Sequence, residues 1–227
     1  MFEQQASDMD RRDFLRTTAA GGSTLGVAGC LGLVDSTPNV TLSEPDRDFK
    51  SKDVPYPAWG EKIPAASVPA PLENRDVKLR GVNKPSLMTF FYSVCNTVCP
   101  VLISTLRNIQ THALNNGYGD KVAFLPITFD PGRDNAARLR QYAKEMNIDY
   151  DVGNWHFLRP KSKQRAKRLI QNQYGVQFVR DGEMNGKYMF THSAMILLVN
   201  SDGYVERAYR TRSPNAEKII ADLKKLR

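Results

Sequence analysis

The chain predicts a single α/β sandwich, and three features of its 227 residues carry that prediction. Apolar runs at 87–92 and 195–199 are too continuous for half-exposed edge strands and read as central ones. Stretches of helical spacing alternate with strand-like runs along the chain. The pattern closes on a hairpin and a last helix, an order that lets one sheet bury its faces under helices.

Each element has a local reason. Asn74-Arg75-Asp76 reads as a turn leading into a short strand at 77–79. After the aromatic strand at 87–92, Leu102, Leu106, Ile109 and Ala113 recur at helical spacing, and Gly117 supplies a stop. An apolar strand follows at 121–129. Asp134 is positioned to cap a second helix that buries Leu139, Tyr142, Ala143 and Met146. A short strand at 155–158 precedes a third helix at 162–173, with Ala166, Leu169 and Ile170 inward. The strand at 195–199 turns at Asp202-Gly203 into another at 204–209, and Ser213-Pro214 offers a cap and first-turn proline for the final helix. Among α/β sandwiches, a thioredoxin-like arrangement behind a flexible N-terminal tether fits this order best.

Composition bounds the function. With 41% hydrophobic and 25% charged residues, the chain can bury one domain and carry a tail. The three cysteines, Cys30, Cys95 and Cys99, exclude a disulfide-dense framework, and three histidines make a multi-histidine metal cage unfavourable. No run approaches the roughly 18 apolar residues of a membrane span.

Residues 1–29 read as an address. Arg11, Arg12, Phe14 and Leu15 resemble a twin-arginine export signal, and Val27-Ala28-Gly29-Cys30 resembles a lipoprotein box with Cys30 as the lipid attachment point. The plain alternative is a disordered N-terminus with an accidental arginine pair. On the first reading the mature protein is lipid-anchored on the extracytoplasmic face of the cell membrane, where a dithiol meets oxidants. Residues 30–62 form a proline-rich, semi-extended tether, with Trp59 and Ile63 as apolar anchors near its end, and 63–227 form the domain.

The chemistry concentrates at Cys95-Asn96-Thr97-Val98-Cys99-Pro100, where a strand hands over to a helix. A four-residue step in a helical turn holds the Cβ atoms about 5–6 Å apart, long for a relaxed disulfide at roughly 3.5–4.5 Å and comfortable for two thiolates on one metal. The unpaired amides at a helix start favour thiolate. Two thiolates with an imidazole make a soft-to-borderline set suited to copper in either oxidation state. Zinc is served less well, because its structural sites want four protein ligands. A buried disulfide or two core thiols is the competing reading. His192 precedes a central strand and ranks first by position. His156 alternates within a strand, and His112 lies on the polar part of the first helix.

Four segments together resemble the SCO/SenC family of thioredoxin-fold copper proteins: 89–100 with its two cysteines, Ile127-Thr128-Phe129-Asp130-Pro131-Gly132-Arg133-Asp134, Phe190-Thr191-His192-Ser193-Ala194, and Val199-Asn200-Ser201-Asp202-Gly203. The resemblance runs from about Trp59 to the C-terminus. It implies Cu(I) or Cu(II) bound by Cys95, Cys99 and His192, with cytochrome c oxidase subunit II and its dinuclear copper centre, or another copper-site protein, as recipient. It also implies a copper donor or thiol reductant as a second partner. Some members act as thiol–disulfide oxidoreductases or redox sensors, and the same two sulfurs permit that alternative. Asp130 reads either as a carboxylate near the cysteine loop or as an Asx turn. Tyr92 reads either as a cover on the loop or as a core aromatic.

The chain departs from many relatives in having Asn96 and Thr97 in place of proline and an acidic residue, and Thr191 before the histidine. Six basic residues from Arg159 to Arg168 could attract anionic lipid or an acidic protein, or form the solvated side of the third helix. Export and the absence of interleaved aromatics disfavour nucleic acid. The loss of negative charge around the cysteines predicts a weaker preference for Cu(II) than in relatives with acidic loops. Metal titration of reduced Thr97→Asp protein checks this: Cu(II) affinity rises, and an unchanged affinity counts against the charge argument.

Overall fold

The computed structural model describes residues 39–184 and 186–227; the twin-arginine pattern and Cys30 lie outside the described residues. The central sheet has four strands in the order β4–β3–β7–β8. Its middle strand β3 (Ser86–Phe91) pairs in parallel with β4 (Ala123–Thr128) and antiparallel with β7 (Ile196–Val199), which pairs antiparallel with β8 (Val205–Tyr209). Every residue of β3, β4 and β7 is buried, as the continuous apolar runs require. Beyond β4, Trp155 and Leu158 extend the sheet through parallel bridges to Phe124 and Ile127, so the expected strand at 155–158 survives as two isolated bridges.

The helices cover this sheet. Helix α1 (Val98–Asn115) packs on β3, β4 and α4 (Ala216–Lys224), and buries Leu102, Leu106, Ile109 and Ala113 as their spacing predicts. Helix α2 (Ala136–Glu145) buries Leu139, Tyr142 and Ala143. Helix α3 (Lys163–Ala166) continues as a π-helical stretch, Lys167–Gln173, that keeps Leu169 and Ile170 inward. A small hairpin, β1 (Ser67–Ala70) and β2 (Arg75–Lys78), and a second one, β5 (Phe178–Met184) and β6 (Lys187–His192), complete a thioredoxin-like arrangement.

Two expected caps move by one or two residues. Asn135, not Asp134, caps α2 by accepting from the Arg138 amide at 3.0 Å. Asn215, not Ser213, caps α4 by accepting from the Lys218 amide at 3.0 Å. Both sites offered adjacent residues with capping oxygens, and propensity does not choose between neighbours. At Asp134 the choice matters, because its carboxylate is used elsewhere.

From Asn39 on, the proline-rich segment lies against the domain, so the packed body begins upstream of residue 63. Leu42, Tyr56, Ala58 and Ile63 are buried, and the Trp59 indole donates to the Leu42 carbonyl at 2.7 Å. Gly175, at φ +64°, follows the π-helical stretch where a Cβ would collide with the Pro55 carbonyl. The strongest tie is Glu206 on β8, fully buried, whose carboxylate accepts from the Thr41 and Leu42 amides at 2.8 Å each and from Asn200 Nδ2 at 2.9 Å. Glu206→Ala strands the buried Leu42 amide and removes the acceptor of the partly buried Thr41 and Asn200 donors, and is expected to cost about 3 kcal/mol. Denaturant unfolding should show the loss, with faster hydrogen exchange at Thr41 and Leu42; unchanged stability would mean the segment is held by its apolar anchors alone.

Candidate metal centre

The cysteine loop leaves the C-terminal end of β3. Tyr92 and Ser93 are buried, the Cys95 amide donates back to the Tyr92 carbonyl at 3.2 Å, and Cys99 falls in the first turn of α1. Cys99 is fully buried and Cys95 is 6% exposed. Both are free thiols, so no disulfide joins them here. His192, at the end of β6, brings Nε2 to 3.0 Å from the Cys99 sulfur and 4.0 Å from the Cys95 sulfur. The three ligand atoms lie within 4.8 Å of one another, a cluster able to coordinate a metal ion.

The imidazole is prepared for that role. Its Nδ1 is 3.0 Å from the Ser193 carbonyl, which only accepts, so Nδ1 carries the proton and Nε2 presents a lone pair to the sulfurs. Aromatic packing sets the ring's place. Phe129 stacks on Phe178 at 4.7 Å and meets the His192 ring at 5.0 Å, Tyr92 at 5.3 Å and Phe190 at 5.4 Å. Tyr92 is therefore a core aromatic that also borders the site: its hydroxyl receives the Phe190 amide at 3.2 Å, and its ring lies edge-on to His192 at 6.1 Å.

A polar clamp beside the aromatics ties the same hairpin to the loop after β4. The Asp130 carboxylate is fully buried and holds the Arg133 guanidinium, and it accepts from the Tyr188 hydroxyl at 2.9 Å. Arg133 donates to the Tyr188 carbonyl at 2.7 Å and lies 3.6 Å over the Tyr188 ring. No Asx turn forms at Asp130: its backbone carbonyl shapes the turn by accepting from the Arg133 and Asp134 amides, which leaves its side chain to grip the histidine-bearing hairpin.

Asp134, expected as a helix cap, is instead buried beneath the cysteine loop. It accepts from the Ser93 hydroxyl and amide and from the Thr128 hydroxyl. Arg138 braces the same residue, donating to Ser93 Oγ at 2.8 Å and to the Ser93 carbonyl at 2.6 Å, while pairing with Glu145. Burial pushes the Asp134 carboxyl above the ordinary range, against the Ser93 and Thr128 hydrogen bonds that pull it down. The signal that could have found it is the acidic residue ending a loop rich in turn formers, four residues after Asp130.

The other candidates separate from the site. His112 bonds the Tyr118 hydroxyl at 2.5 Å, and His156 bonds Glu73 at 2.7 Å; each is a satisfied structural histidine. Of the basic cluster, Lys161, Lys163, Arg165, Lys167 and Arg168 are exposed, and Arg159 holds the Pro131 carbonyl at 2.7 Å. Thr191, the neutral residue before the histidine, donates to Asp181 of the facing strand at 2.9 Å. Thr97 Oγ1 lies 3.5 Å from the Cys95 sulfur.

The two thiols are unequal. The neighbouring Cys99 thiol is the main cause that draws Cys95 down to about 3, against the cost of burial, with Thr97 adding. Burial pushes Cys99 well up, and the Cys95 thiolate adds to the shift. The amides at the start of α1 therefore do not favour both thiolates alike, because the deeper sulfur lacks solvent. Reduced protein should alkylate at Cys95 with a rate nearly flat from pH 8 to pH 5, while an ordinary thiol slows tenfold per unit below about 8.5. Iodoacetamide kinetics with fragment-ion mass spectrometry, in a Cys30→Ser background, read this. Ordinary pH dependence, or modification of Cys99 first, would refute it.

The sequence model of the family described as SCO1/SenC matches residues 75–227. An SCO2-like protein of Rickettsia typhi is 27% identical over 141 residues, covering 58% of this chain and 61% of the relative. The chain spans 53–63% of the length of the curated relatives it matches. Among solved structures, ScoI of Bradyrhizobium japonicum with copper bound superposes with TM-score 0.60 at 23% identity, covering 72% of this chain and 99% of that one. BsSco, described with a disulfide switch as a member of the Sco family of cytochrome c oxidase assembly proteins, superposes with TM-score 0.57 at 20% identity over 73% and 92%. At these identities the structures establish a shared fold. The family match covers most of the described domain, including the cysteine loop and the hairpin that brings His192 to it, and this chain belongs to the SCO1/SenC family.

Proposed function

We propose that the protein is a copper metallochaperone that holds one ion on Cys95, Cys99 and His192 and passes it to a copper-site protein during cytochrome c oxidase assembly. The observation that carries this reading is the convergence of two thiol sulfurs and a lone-pair-bearing imidazole nitrogen within 4.8 Å. That donor set matches the preferences of copper and falls one ligand short of a structural zinc site. Copper-bound ScoI of the same fold supports the choice of metal. The description of BsSco as an oxidase assembly protein supports the pathway, with the dinuclear copper centre of subunit II as the recipient that the family resemblance implies. Delivery proceeds by exchange of ligands with the recipient, one metal–ligand bond forming as another breaks.

The site of action is extracytoplasmic, with the chain anchored through lipid on Cys30, and a copper donor or thiol reductant serves it there. Among the described residues no helix is long and apolar enough to cross a membrane.

A second reading has specific support. A Cys95 drawn towards the thiolate beside a deeper Cys99 held as the thiol is the arrangement of a thiol–disulfide oxidoreductase, in which one sulfur attacks and the other resolves. The two functions separate at His192. Reduced Cys95→Ser, Cys99→Ser and His192→Ala proteins are each expected to lose at least about tenfold in Cu(I) affinity by chelator competition, the loss of one ligand exceeding 1.4 kcal/mol. Full affinity in His192→Ala, with disulfide exchange intact, would leave the redox reading standing and remove the chaperone one.

A further inference from the structure

The cleft that opens onto the cysteine–histidine cluster has a feature the metal site itself does not use. Met184, the last residue of β5, is 48% exposed, and its sulfur accepts from the Asn96 side-chain amide at 3.1 Å. Asn96 is the residue next to Cys95. A second methionine, Met189 on β6, lines the same cleft, with Thr97 and His192. An exposed thioether held in one place loses rotamer freedom for a weak acceptor bond, and a polar residue would fit a hairpin tip as well.

The chemistry of sulfur supplies a reason. A thioether is a neutral, soft donor that binds Cu(I) and needs no deprotonation, whereas hard cations pass it by. The resting ligands lie deep, Cys99 fully buried and Cys95 almost so. An ion moving between them and a partner must cross a mouth whose other side chains include Thr97, Thr191, Asp181 and Glu183, all oxygen donors. Without a soft donor there, Cu(I) would leave two thiolates before meeting the next favourable ligand.

We propose that Met184 is a transfer ligand: its thioether, turned by Asn96 toward the cysteine loop, takes Cu(I) briefly at the mouth of the cleft as the ion enters or leaves the Cys95–Cys99–His192 site. The exchange is balanced without any redox partner. A sulfur lone pair forms the new Cu–S bond as one bond to the resting set breaks, the copper stays cuprous, and no proton moves at the thioether. This inference rests on the copper reading above and adds a step to it.

The test uses the reduced full chain, in a Cys30→Ser background, with methionine methyl groups labelled by carbon-13. Under anaerobic conditions Cu(I) is added to two equivalents. Thiolate-to-copper absorption reports filling of the resting site, and the methyl resonances report the thioethers. The Met184 methyl is expected to shift or broaden as the second equivalent is added. At equal filling, Met184→Leu should slow delivery to a chromophoric Cu(I) chelator about tenfold. Asn96→Ala, which keeps the sulfur, should deliver faster than Met184→Leu; equal slowing in both would mean that the contact only pins the hairpin, and would overturn the proposal. A Met184 methyl that stays unmoved while the thiolate absorption is fully developed would overturn it too, with the copper reading intact. If no thiolate absorption develops, the copper reading fails and the transfer step falls with it.

Discussion

The cluster depends on a long-range closure: His192 must cross from a hairpin to a helix start that precedes it by 93 residues. A hairpin of two strands is marginally stable alone, and β5 shows mostly exposed side chains. Its place is set by burial of a few aromatic rings. Phe129, at the end of β4, contacts Phe178, Phe190, Tyr92 and His192, so one core residue fixes both strands of the hairpin and the ring of the ligand itself. Pairs of this kind contribute about 0.5–1.5 kcal/mol each beyond their buried area. The Asp130–Arg133–Tyr188 clamp adds direction, which stacking alone supplies poorly.

Two buried carboxylates hold the elements that carry the ligands, Asp134 under the cysteine loop and Asp130 against the histidine-bearing hairpin. Asp130 is neutralised by Arg133, while Asp134 is compensated by hydrogen bonds from Ser93 and Thr128, with Arg138 bracing Ser93 from outside. Breaking a buried, hydrogen-bonded charge is more costly than never having had it. The loop carrying Cys95 is thus tied to a carboxylate at one side and to β3 at the other. The same carboxylate charge raises Cys99 further, so the device that holds the loop also sharpens the difference between the two sulfurs.

Much of this was legible before any coordinates. The helix faces followed from spacing: Leu102, Leu106, Ile109 and Ala113 are all buried on α1. His192 ranked above His112 and His156 because a loop entering a central strand faces a neighbouring helix end, and the structure brings it alone to the sulfurs. The β5–β6 hairpin was not legible as such. Its first strand, Phe178–Met184, alternates poorly and carries Arg180, Asp181, Gly182 and Glu183 in a row, so no period separates it from a polar loop. Asp134 was read for its nearest use, the cap, because capping is local and the Ser93 and Thr128 partners are tertiary. The packing of residues 39–62 was hidden for a similar reason: proline-rich sequence says that a segment is extended, and only Glu206, far along the chain, says where it is held.

On the copper reading, the two sulfurs and the imidazole are already arranged as an ion requires, with the Cys99 proton held where the ion would go. Cys95 is drawn towards the thiolate and Cys99 is held as the thiol, with the imidazole Nε2 3.0 Å from the Cys99 sulfur. An entering cation takes those electron pairs, and the Cys99 proton leaves. Burial, which resists a second thiolate when no cation balances it, then works for the metal, since an uncompensated pair of thiolates is what the low dielectric penalises. Two thiolates and a neutral imidazole give a net charge of −1 with a cuprous ion and zero with a cupric one. Softness of the sulfurs favours the first and burial favours the second. The balance between them is set by the charges that ring the loop, among them Asp181 beside Thr191 and the neutral Thr97 against Cys95.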